Sequence, residues 1–157
     1  MPVAQNTEAS EPFKPLEVAV YVPQELLGMV HVIAEVQHDR PSSAIIMPNG
    51  TVELIFFLER NQPERFYLGD DSPSDRAQRN ESALLCSVAN RPQIVAGRSL
   101  HAIFAMMAPA AAMSVFGIPA SELANRSVAP SQLGIDVRSL EDLLRSLPSF
   151  ALRARAI

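Results

Sequence analysis

The sequence has no tryptophan, only two tyrosines and a single cysteine among its 157 residues. One cysteine, Cys86, excludes an internal disulfide and a cysteine-based metal cluster. Within Ala83-Leu84-Leu85-Cys86-Ser87-Val88 it reads as a small buried hydrophobe rather than a nucleophile. No apolar run approaches the ~18 residues of a membrane span, so no membrane partner is expected. The N-terminus lacks the basic-then-apolar order of a signal peptide, and a cytoplasmic location is the expectation. Positive charge is short as well. Thirteen Lys and Arg stand against seventeen Asp and Glu, a net charge of −4. A nucleic-acid binder usually carries a basic face, and this balance argues against one.

Catalytic patterns are also missing. His31, His38 and His101 show no paired spacing. A metal site made of His31, His101 and Glu53 can be drawn, but no sequence feature brings the three together. No glycine-rich phosphate loop follows a strand, and no serine sits at a nucleophile elbow or beside a partner histidine. No enzyme, metal or cofactor is therefore expected. The acids between Gly69 and Ser82 lack the oxygen-ligand pattern of a calcium loop and read as a solvated loop.

What the chain does contain is extended, apolar and turn-rich. Ile45-Ile46-Met47 and Thr51 to Leu58 are strand-like runs rich in β-branched and aromatic residues. Pro48-Asn49-Gly50 between them predicts a β-hairpin with a three-residue loop. Further strands are expected at Leu16–Val22, Met29–His38, Phe66–Leu68, Ala83–Val88, Gln93–Ala96 and Leu100–Met107. On Met29–His38 the alternation predicts Val30, Val32, Ala34 and Val36 as the core face. Thirteen prolines fit many short elements. The expected class is α+β, mainly β: a barrel or sandwich of about seven to eight short strands followed by a small helical segment.

The period changes at Pro109. Ala110–Phe116 predicts a helix closed by Gly117, and Pro119 opens a second short one. Asn125–Gly134 reads as a loop. Val137–Leu147 is amphipathic, with Val137, Leu140, Leu143, Leu144 and Leu147 on one face. Ser149 to Ile157 opens another helix. The expected organisation is a leader at 1–15, a β portion at 16–107, and a helical segment at 108–157 packed on it, starting a linker to a further domain.

Glu53 shares a strand face with Ile55 and Phe57, an acid in an apolar stripe. One reading makes that face the outer, partly solvated side of the sheet, or has the acid satisfy backbone or arginine donors nearby. The other makes Glu53 a polar anchor in a ligand pocket, with Arg91 or Arg98 as its partner. The first is preferred. The second makes Glu53, Arg91, Phe57 and Met106 the candidate ligand-binding residues, the methionine supplying adaptable apolar contact.

Two blocks carry a resemblance. Met47-Pro48-Asn49-Gly50-Thr51-Val52-Glu53-Leu54-Ile55-Phe56 is similar to the Pro-Asp-Gly hairpin ending in Glu-Leu-Ile-Phe in the N-terminal domains of one branch of AraC-type transcriptional regulators. Phe116-Gly117-Ile118-Pro119-Ala120-Ser121-Glu122-Leu123-Ala124-Asn125 resembles that branch's motif after the strand-to-helix junction, and Val128 to Gly134 its continuation. The likeness spans roughly residues 16 to 157 and departs where Met29–His38 lacks the branch's tryptophan. The resemblance implies a cupin-like β-barrel sensor and dimerisation domain. It would bind a small-molecule effector, form a homodimer, and reach DNA only through a missing C-terminal helix-turn-helix region. A stand-alone cupin-like small-molecule binder or metal-dependent enzyme is the alternative.

Overall fold

Two antiparallel sheets and three α-helices make up the computed structural model, which describes residues 17–26, 28–39, 41–59, 64–67, 83–86, 90–97 and 99–157. The strands are β1 (Glu17–Tyr21), β2 (Val30–His38), β3 (Ser42–Ile46), β4 (Val52–Phe57), β5 (Glu64–Tyr67), β6 (Ala83–Cys86), β7 (Gln93–Gly97), β8 (Leu100–Met107) and β9 (Ser127–Val128). The helices are α1 (Pro109–Phe116), α2 (Arg138–Ser146) and α3 (Phe150–Ala156). The fold is therefore mainly β with a helical C-terminal part, as expected. The leader at 1–15 and the acidic stretch at 69–82 lie outside the described residues. No helix among the described residues is long and apolar enough to cross a membrane.

One sheet has six strands in the order β1-β2-β8-β4-β6-β9, the other three in the order β3-β7-β5. This order corrects the predicted hairpin. β3 pairs with β7 (Ile46 opposite Gln93), whereas β4 pairs with β8 and β6. Pro48-Asn49-Gly50 thus carries the chain from one sheet to the other. The turn chemistry is satisfied locally, which is why it does not dictate a strand partner. Asn49 Oδ1 accepts hydrogen bonds from the Thr51 amide at 3.0 Å and the Thr51 hydroxyl at 2.8 Å, and Gly50 takes φ +72°. β4 is apolar on both faces and finds buried partners on both sides.

The predicted core face of β2 also needs correction. Val30 lies opposite Met107, but Val32 lies opposite Met106, so one extra residue is accommodated near His31. Such a bulge shifts the alternation phase. Val30 packs against the same core as Ile33, which is fully buried, instead of sharing a face with Val32. Beyond the bulge Ile33 and Glu35 face one side, and Ala34 is buried on the other.

The larger core joins that face of the sheet to the helices. Ile33, Val52, Leu54, Phe56, Leu85 and Ile103 from the strands meet Ala111 and Ala112 of α1, Leu123, Leu144 of α2 and Ala154 of α3. The other face carries Ile55, Phe57, Leu84, Cys86 and Ala102, flanked by half-buried Leu100 and Phe104. The expected loop at Asn125–Gly134 contains β9, which extends the sheet beside β6, and a 3-10 turn at Pro130–Leu133. On α2, Leu144 is fully buried, but Leu143 is exposed and Glu141 takes its place toward the interior.

α1 ends as its sequence predicts. Gly117 adopts φ +70°, and its amide donates to the Met113 carbonyl at 3.0 Å. A Cβ there would meet nothing within 4 Å, so the cost of adding one is purely conformational. Gly117→Ala is expected to lower the unfolding free energy by about 1–2 kcal/mol, measured by urea denaturation; no loss would mean that the helix end relaxes freely.

Candidate functional site

The strand register brings two of the predicted ligand-binding residues together. Glu53 on β4 lies opposite Met106 on β8, and opposite Cys86 on β6. Phe57 follows on the same face and is buried among Ile55, Leu84 and Ala102. Arg91 lies exposed in the turn before β7. Arg98 is outside the described residues. Glu53 is half-buried, and its Oε1 accepts a hydrogen bond from Asn49 Nδ2 at 2.9 Å. The acid therefore ties the β3–β4 corner down through a side-chain amide, in place of the backbone or arginine donors expected from the sequence. His31 is exposed, and His101 faces Glu35. Among the described residues, no cluster of three or more His, Cys, Asp or Glu is arranged to hold a metal ion.

A second constellation is built on the helix-facing side of the sheet. Glu35 on β2 lies opposite Ile103 on β8. His101, two residues before Ile103, therefore shares its face. α3 brings Arg153 over the same point. Arg153 Nε donates to Glu35 Oε2 at 2.6 Å, and one terminal guanidinium nitrogen donates to Oε1 at 2.5 Å. The other terminal nitrogen donates to the Leu147 carbonyl at 2.5 Å. His101 Nε2 lies 3.0 Å from Glu35 Oε1. A two-point fork on a carboxylate is among the stronger polar contacts available to a protein. It needs to be, since the Glu35 side chain is only 10% exposed and the Arg153 side chain 11%.

Burial alone pushes the Glu35 carboxyl up. The hydrogen bonds from Arg153 and His101, with the positive charge they bring, outweigh burial and hold the group below its ordinary value of 4.5. A depressed carboxylate stabilises the fold above its unfolded-state pKa, and that stability is lost as pH falls through the folded value. Wild-type stability is expected to fall steadily as the medium is acidified below about pH 4.5. The Glu35→Gln variant should lack that component. Urea midpoints measured against pH check this; parallel profiles for the two proteins would reject it.

Sequence reading missed this cluster. Its members are separated by 66 and 118 residues, so no local spacing marks them. The available signal was one histidine in the otherwise apolar β8, with an acid on β2 and an arginine on α3 and no way to pair them.

A cleft of about 530 Å³ opens between Ala83, Pro130 and the start of α2. Its lining includes Asp136, Arg138 and the buried Glu141. Asp136 Oδ1 accepts from the Arg138 amide at 3.1 Å and so serves the first turn of α2.

Comparison with protein families, curated proteins and solved structures finds no match for the chain.

Proposed function

We propose that the chain is the effector-sensing and dimerisation domain of an AraC-type transcriptional regulator. In this reading its strands form a cupin-like barrel or sandwich. It works in the cytoplasm, and DNA is reached only through a helix-turn-helix region outside these residues. One observation carries the reading. The two motifs behind the resemblance, distant in sequence, contribute to a single core: Val52, Leu54 and Phe56 from the first, and buried Leu123 with half-buried Phe116, Ile118 and Ala120 from the second. A pair of motifs that interlock in this way specifies a packing unit, which either motif alone does not.

The face shared by Glu53, Phe57 and Met106 is the candidate surface for the effector, with Arg91 as a further contact. A small molecule bound there acts by favouring one of two dimer geometries, and so one spacing of the DNA-reading units. Sedimentation velocity of the purified chain and a thermal-shift screen of small molecules test the reading. A concentration-dependent dimer and a ligand that raises the melting temperature support it, because a binder must stabilise the state it binds. A monomer at all concentrations with no stabilising compound overturns it. Stoichiometric iron, zinc or manganese in the purified protein transfers the case to a stand-alone cupin-like binder or metal-dependent enzyme.

A further inference from the structure

α3 attaches to the core through small or half-buried apolar side chains. It is seven residues long, and a helix of that length is unstable in water by itself. Its one fully buried side chain is Ala154; Phe150, Ala156 and Ile157 are half-buried, and Leu152 is exposed. Ser149 caps its start through a bond of 3.4 Å to the Leu152 amide. α2, by contrast, sends Leu144 fully into the core and Arg145 to the Phe57 carbonyl at 3.3 Å. Beside its apolar packing, α3 makes a polar contact with the sheet: the Arg153 fork on Glu35, supported by His101.

We propose that Glu35, His101 and Arg153 form a latch that decides whether α3 is docked on the sheet, and that α3 passes the state of the sheet to the rest of the protein. The second half rests on the regulatory reading above; the docking does not. The strand that connects the two sites is β8. It presents Met106 to the Glu53 and Phe57 face and His101 to the opposite, latch face. β8 also sets the register of β2, and with it the position of Glu35. A shift of β8 against β2 alters the distance from Glu35 to His101 while Arg153 stays on a separate element. Contiguous packed strands of this kind are the material through which two sites couple.

Hydrogen exchange by mass spectrometry on the full chain tests the latch, with amides of 150–157 compared against those of β2 and β8. In Glu35→Gln the α3 amides are expected to exchange roughly tenfold faster or more, while the strands keep their wild-type rates. Arg153→Lys keeps the charge but loses the fork, and should give a smaller increase in the same amides. Unchanged α3 exchange in both variants overturns the proposal. So does equal loss of protection in α3 and the strands, or failure of either variant to fold, because a latch that holds only α3 is not required by the sheet. The outcomes separate from those of the regulatory reading. A monomer without ligand leaves the exchange comparison intact, and unchanged exchange leaves a ligand-binding dimer intact.

Discussion

Phe56→Ala is expected to lower the unfolding free energy by roughly 3–5 kcal/mol. Phe56 is 1% exposed. On β4 it lies opposite Ala83 of β6 and Ile103 of β8, and all three belong to the core beneath the helices. One of these neighbours is an alanine, which has almost no side chain to collapse into the space the ring would leave. β4 is hydrogen-bonded on both sides and has no freedom to move into the void. The loss should therefore include the cavity term as well as the transfer term. Urea unfolding measures it, with an unchanged m-value showing that the same surface is exposed. Val18→Ala, on the exposed face of β1, serves as the control and should change stability by less than about 0.5 kcal/mol. If the two variants proved equally stable, Phe56 would not be a core residue.

β4 was legible because Val-Glu-Leu-Ile-Phe-Phe has β propensity and apolarity on both faces. Its partners were not legible. Pro48-Asn49-Gly50 specifies a corner, and Asn49 bonds locally to Thr51 and Glu53. Nothing in such a turn says whether the chain returns alongside itself or crosses to another sheet. The same limit explains β2. Its alternation was visible, but the bulge at His31 carries no glycine or proline to announce it, and a phase error of one residue exchanges the two faces. Helix ends were easier, because their signals are local: Gly117 closes α1 and Ser149 opens α3. β9 has two residues and no periodicity to detect.

Site residues divide along the same line. Glu53 was noticed because it interrupts an apolar stripe, and its hydrogen-bond partner sits four residues away. Glu35 interrupts no such stripe: by simple alternation it shares a face with His31 and Gln37. It reads as an acid on the outer side, because the alternation does not reveal that both faces of β2 are covered, Ile33 being buried on one and Ala34 on the other. Its partners come from β8 and α3, which only the tertiary fold brings into contact.

Arg153→Met places that long-range contact under the most direct stress. The change removes both donors to the Glu35 carboxylate from α3, and the bond to the Leu147 carbonyl. Were α3 to stay docked, a buried carboxylate left without its arginine would cost roughly 3–5 kcal/mol. Undocking lets water reach Glu35 and relieves part of that cost. The measured loss is therefore expected below this figure, and it reports what docking of α3 is worth to the fold. Glu35→Leu combined with Arg153→Met removes the stranded charge altogether. Leucine at 35 then continues the apolar surface of Ile33 and Ile103 on the helix-facing side, and methionine covers it from α3. Replacing both members of a buried pair with apolar groups is often neutral or better. The double variant should recover most of the stability lost by the single one, with His101, its side chain 20% exposed, turning to solvent. Urea denaturation of the wild type, both single variants and the double variant gives the coupling energy directly. A double variant no more stable than Arg153→Met would show that the arginine holds α3 through the Leu147 carbonyl and its own packing, with the carboxylate a bystander.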